Sequence, residues 1–142
     1  DAIVQGNMPA IKKMLGQYYS LEGIVRRGHQ QGRLMGFPTA NIDYSDEYLL
    51  PKEGVYASMV EIDHHTYGAM TNLGHNPTFN TSEKLSLETY IIGYSGTLYG
   101  KILKVQLLEY LRPEIHFKSR ENLILQLEQD VRDIKKILLK YE

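Results

Sequence analysis

Val55-Tyr56-Ala57-Ser58-Met59-Val60-Glu61-Ile62, then Asp63-His64-His65, then Thr66-Tyr67-Gly68-Ala69-Met70-Thr71-Asn72-Leu73: this run decides the fold class. Gly54 makes a natural break before the first stretch, and Asp63-His64-His65 reads as a turn. The two flanking stretches then form an antiparallel hairpin. Leu21–Arg27 reads as a strand on one side, and Leu85–Tyr94 and Ile102–Tyr110 on the other. In the last of these Leu103, Val105 and Leu107 alternate with polar positions, the two-residue period of a half-buried strand. Short strands separated by turn residues favour a closed or nearly closed antiparallel sheet, and closure removes exposed edges.

Helical periodicity occurs only near the two ends. Met8–Gly16 reads as a short helix, with Pro9 in its first turn, Ile11, Met14 and Leu15 on one face and Gly16 as its stop. It reads as a connector rather than a core element. Ser119 suits an N-cap, and Leu123, Leu127, Val131, Ile134 and Leu138 mark one face of a final helix. Glu128 and Arg132 are spaced for an ion pair on its other side.

With 142 residues, the chain suits one domain with a real core. The net charge of −1 gives no reason to expect nucleic-acid or membrane binding. Eleven tyrosines are scattered without a basic stripe, so half-buried strand positions explain them better than a base-stacking surface. Cysteine is absent, which removes disulfides and thiolate chemistry. No apolar run spans a bilayer and no signal peptide is visible, so a cytoplasmic location is expected.

The chemistry centres on Gly36-Phe37-Pro38-Thr39-Ala40-Asn41, preceded by Gly28, Gly32 and Arg33. Glycines let backbone approach phosphate oxygens, and a guanidinium donates to them. On an extended segment Thr39 and Asn41 share a face, and their oxygens suit a hard cation. A bland reading, a glycine turn before a strand, competes. Glu88 lies among apolar neighbours in Leu87–Ile92. Alternation favours an outward, salt-bridged carboxylate, whereas a cleft position would make it a proton acceptor. Asn72–Phe79 is either a flap over a ligand or an ordinary connection. His29, His75 and His116 are lone histidines, and His64 and His65 have no third ligand at recognisable spacing. In Leu111–Phe117, Arg112 either binds phosphate or pairs with a nearby carboxylate, and Phe117 either packs on a flat ring or staples the helix start.

Taken in order, these pieces resemble riboflavin kinase: the glycine loop, Gly36–Asn41, Leu50-Pro51 with Gly54-Val55-Tyr56, Asn72-Leu73-Gly74 with Pro77-Thr78-Phe79, Glu88-Thr89, Leu98-Tyr99-Gly100, and Leu111-Arg112-Pro113-Glu114 with Phe117. The resemblance runs from about Tyr18 through the last helix. It implies a mostly β fold: a six-stranded antiparallel Greek-key barrel with a C-terminal helix, beside the short N-terminal one. It implies ATP and riboflavin as substrates, FMN and ADP as products, and Mg²⁺ with the nucleotide. Gly28, Gly32, Arg33, Gly36, Pro38, Thr39, Asn41, Ile91 and Tyr99 would then contact ATP, with Thr39 and Asn41 also holding the metal. Glu88 would be the base for the ribityl hydroxyl, and Asn72, Arg112, Ile115 and Phe117 would lie on the flavin side. Tyr90, Gly93, Ser95 and Thr97 depart from residues common in the family. Residues 1–17 resemble the link after the adenylyltransferase module of bifunctional FAD synthetases, so 18–142 is expected to be the kinase domain. The chain starts at Asp1 without Met and lacks a His-x-Gly-His type motif, so it is expected to be that module alone. A flavin- or nucleotide-binding module without turnover is the alternative.

Overall fold

The computed structural model describes residues 3, 5–26, 36–74 and 84–141. Six strands, β1 (Tyr19–Arg26), β2 (Ala40–Tyr44), β3 (Gly54–Ile62), β4 (His65–Gly74), β5 (Ser86–Ile91) and β6 (Ile102–Arg112), lie between helix α1 (Met8–Leu15) and helix α2 (Arg120–Leu138). A short 3₁₀ turn, Leu139–Tyr141, follows. The strands close into a barrel in the order β1-β2-β5-β4-β3-β6, every pair antiparallel. Strands β3, β4 and β5 follow one another as hairpins, and β6 returns beside β3, which is the Greek-key order.

The hairpin read from the sequence forms as expected, with a tighter turn. Asp63 (φ 51°) and His64 (φ 69°) both adopt left-handed backbone, so the turn has two residues and His65 already belongs to β4. The strand expected to reach Tyr94 stops at Ile91, because Gly93 turns the chain at φ 78°. The sixth strand, β2, is the one the hydropathy pattern did not mark out.

Alternation sorts each strand into an inner and an outer face. Leu21, Val25, Ile42, Tyr44, Tyr56, Val60, Leu73, Leu87, Ile91, Leu103, Val105 and Leu107 fill the barrel. One inner layer is polar: Ser58, Thr71 and Thr89 are fully buried and joined by hydroxyl contacts of 2.6 Å and 3.1 Å. The Ser58 hydroxyl also donates to the Ala69 carbonyl at 3.0 Å, so each of the three has a partner.

The first helix corrects the expectation of a connector. Asn7 caps it and Gly16 ends it in left-handed backbone. Met8 and Ile11, at 1% and 2% exposure, belong to the barrel's own core. The expected face through Met14 and Leu15 is instead largely exposed. Helix α2 is capped by Ser119, whose Oγ accepts from the Asn122 N–H at 3.1 Å. It lays Leu127, Val131, Ile134, Ile137 and Leu138 against Val55, Ala57 and Met70 on the barrel's outer face. A Cβ on Gly68 would lie 2.2 Å from Leu138 Cδ1, so glycine lets the helix end settle there without a shift of the Leu138 side chain. Arg132 does not turn to Glu128; its Nη2 donates to Gln129 Oε1 at 2.8 Å.

Candidate active site

The inner positions of β5 are Leu87, Thr89 and Ile91, which leaves Ser86, Glu88 and Tyr90 outside. Glu88 therefore faces outward, as alternation requires, but it does not face open solvent. Its direct partner on β2 is Asn41, and its direct partner on β4 is Asn72. Directly opposed residues on an antiparallel pair share a face and have Cβ atoms about 5 Å apart. A carboxylate with a carboxamide on each side thus forms a polar row across three strands. The row continues from Asn72 to Val55 on β3 and from Val55 to Arg112 on β6. Four of the residues singled out in the sequence, Asn41, Glu88, Asn72 and Arg112, are brought together by register alone.

Thr39 is exposed immediately before β2, and the chain then alternates through the half-buried Ala40 to Asn41. The segment leading there is pinned by Phe37, which packs into the α2 cluster and meets Tyr90 edge to face at 5.3 Å. Gly36 sits at φ 85°, a conformation that favours glycine. Gly28, Gly32 and Arg33 lie outside the described residues, as do His29, His75 and the flap beyond Gly74.

At the far end of the row, one of the two readings open for Arg112 is realised. The guanidinium of Arg112 turns to helix α2, where Nε and Nη2 bind Asp130 at 2.6–3.1 Å while Nη1 donates to the Pro113 carbonyl at 2.9 Å. Asp130 is 1% exposed and also accepts from Gln126 at 2.9 Å. Arg112 thus takes up the carboxylate-pairing alternative and fastens β6 to α2. Ile91 lies in the barrel core instead of on the outer row, while Tyr99 is exposed in the turn before β6. Ile115 is exposed and Phe117 half-buried in the segment that joins β6 to α2.

Sequence reasoning assigned no role to Glu114. Its carboxylate rests on the backbone of Gly74, where a Cβ would fall 1.9 Å from Oε1 and 2.4 Å from Oε2. Its Oε2 accepts from Asn72 Nδ2 at 3.5 Å, the long end of the hydrogen-bond range. Asn72 Oδ1 is buried and has no hydrogen-bond partner among the described residues. No spacing rule foretells this contact, because Glu114 and Gly74 meet only through the packing of β6 against the barrel.

Next to the Glu88 carboxylate, the donors at the start of β2 are neutral oxygens. Among the described residues there is no group of three or more His, Cys, Asp or Glu suited to a metal. The Thr39 hydroxyl and the Asn41 carboxamide fit a hard cation whose charge is balanced by phosphate oxygens, as Mg²⁺ prefers. On the other side of Glu88, the Asn72 oxygen, unpartnered among the described residues, calls for a ligand that donates a hydrogen bond.

A family model described as riboflavin kinase (Flavokinase) matches residues 15–138. The chain belongs to the riboflavin kinase family. Among riboflavin kinase relatives, the bifunctional riboflavin kinase/FMN adenylyltransferase of Listeria monocytogenes is 38% identical over 141 residues, which cover 99% of this chain and 45% of that protein. A Bacillus subtilis protein described as an RNA-binding riboflavin kinase is 32% identical, over 78% of this chain and 47% of its own. The chain thus spans less than half the length of these relatives. Among solved structures, one from Streptococcus pneumoniae described as a macrolide-efflux protein superposes with a TM-score of 0.87 at 34% identity, over 94% of this chain and 44% of that one. The riboflavin kinase of Trypanosoma brucei shares the fold at a TM-score of 0.64 and 24% identity, over 87% and 82% of the two chains. No helix among the described residues is long and apolar enough to cross a membrane.

Proposed function

We propose that this domain transfers the γ-phosphoryl group of ATP to the terminal ribityl hydroxyl of riboflavin, giving FMN and ADP. The observation that carries the reading is the register that sets Asn41, Glu88 and Asn72 side by side on the outer face. Phosphoryl transfer asks a protein mainly to hold acceptor and donor in line and to balance charge. Glu88 accepts the proton of the attacking hydroxyl and aims its oxygen. Thr39 and Asn41 hold Mg²⁺, which supplies charge neutralisation at the phosphates when bound. Gly28, Gly32, Arg33, Gly36 and Pro38 belong to the loop that cradles the nucleotide, with Tyr99 at its edge. Ile91 supports that site from within the barrel. Asn72 contacts the ribityl chain, Ile115 and Phe117 border the flavin, and Arg112 serves it indirectly by holding their segment against α2.

The kinase domain runs from residue 18 to 142, and the link 1–17 docks on it through Met8 and Ile11. Attachment to an FMN adenylyltransferase module in the full-length protein follows the description of the Listeria relative, and a cytoplasmic location is a further part of the proposal. The B. subtilis relative raises RNA binding as a second activity; the net charge of −1 gives no support for it here. The deciding experiment mixes the chain with MgATP and riboflavin and separates flavins by chromatography. FMN should accumulate with ADP in equal amounts. Tight flavin binding with no ADP release would favour the non-catalytic binding module.

A further inference from the structure

We infer that Glu114 is a positioning residue that locks the Asn72 carboxamide so that the site selects an acceptor with a second hydroxyl next to the reacting one. The inference rests on the kinase reading above. A carboxylate can only accept hydrogen bonds, so the Asn72 group facing Glu114 must be its NH₂. The carboxamide oxygen is then turned away, and it is this atom that is buried without a partner among the described residues. The lock is built in: Glu114 occupies the space that any Cβ on Gly74 would fill, so its carboxylate has a fixed seat beside β4. Asn72 and Glu88 are direct cross-strand partners on the same outer face. Two acceptors, one carboxylate oxygen and one carboxamide oxygen, therefore stand next to each other. Such a pair matches two neighbouring alcohol donors, as on the end of a polyol chain. A single primary alcohol would donate to Glu88 alone and leave the Asn72 oxygen desolvated and unbonded, a strong form of discrimination for a polar site.

The test exchanges the two groups. Glu114→Gln allows the carboxamide to flip and should lower kcat/KM for riboflavin about five- to tenfold, the worth of one neutral hydrogen bond, with KM for ATP unmoved. Asn72→Asp alone sets two carboxylates against each other and should cost more. The double variant Asn72→Asp with Glu114→Gln restores the pattern, because the amide introduced at position 114 donates to the carboxylate introduced at position 72 and leaves an acceptor toward substrate; riboflavin kcat/KM should return to within about threefold of wild type. A riboflavin analogue lacking the hydroxyl next to the terminal one should be a poor substrate for the wild-type protein and should show no further loss with Glu114→Gln. A double variant no better than Asn72→Asp, or an analogue that is as sensitive to Glu114→Gln as riboflavin is, overturns the inference. In either case FMN formation by the wild-type chain still stands, whereas failure of the wild-type chain to make FMN would overturn the kinase reading itself.

Discussion

Asp130→Ala should be among the most damaging single substitutions in this domain. Its carboxylate is 1% exposed and receives Arg112 Nε at 3.0 Å and 3.1 Å, Arg112 Nη2 at 2.6 Å and Gln126 Nε2 at 2.9 Å. The Arg112 side chain is 14% exposed, so once the carboxylate is gone its charge has little water to turn to. Breaking a buried pair from one side costs about 3–5 kcal/mol. A domain of 142 residues has roughly 7–21 kcal/mol of stability in total, so this one change removes a large share. At about 2–4 °C per kcal/mol the melting temperature should fall by roughly 6–20 °C. Replacing both partners, Arg112→Met with Asp130→Leu, should recover most of the loss, because no charge is then stranded. Urea unfolding of the wild type, Arg112→Met, Asp130→Leu and the double variant gives the coupling directly. A loss under about 1 kcal/mol for Asp130→Ala would refute the argument that this pair is shielded from water.

Glu88→Gln should lower turnover by about 10²–10⁴-fold while riboflavin, followed by quenching of its fluorescence, still binds; wild-type turnover would remove Glu88 from the role of base. Thr39→Ala should weaken nucleotide binding in a Mg²⁺ titration more than in its absence, and equal losses would argue against a metal contact. High pH should destabilise the fold in a defined window. Burial, then the nearby Asp46 and Asp43, push the Tyr44 phenol from 10.0 up to about 12, and burial also raises Tyr56. The unfolded chain releases these protons first, so their stabilising effect is complete below pH 10 and is lost as pH climbs toward 12. Urea midpoints should therefore fall between about pH 10 and about pH 12, and the fall should shrink in Tyr44→Phe.

How much of this was legible in the sequence depends on the range of the interaction that fixes each feature. The β3–β4 hairpin and both helix caps were readable, because Gly54, Asp63-His64, Gly16 and Ser119 act on residues within a few positions of themselves. Strand β2 was not, since five residues with Asn41 and Asp43 facing out carry too short a pattern to stand apart from a loop. For Glu88, alternation correctly gave the outward face. It could not say that Asn41 and Asn72 would be its neighbours, because that depends on which strands pair and in what register. Asp130 is the extreme case. It is polar on a helix whose apolar face was marked correctly at Val131 and Ile134, yet it is buried because Arg112 reaches it from β6. Met8 and Ile11 likewise look like a loose connector until the barrel is there to receive them.

The cross-strand row has an implication for quality control during folding. The same hydrogen-bond ladder that closes the barrel also aligns the groups of the polar row. If β5 slid by one residue against its neighbours, Glu88 would be driven into the apolar interior and Leu87 and Thr89 expelled. A misaligned molecule of that kind would be too unstable to persist as a well-folded but inert competitor. Molecules that complete the barrel and molecules that can assemble the row should therefore be very nearly the same population.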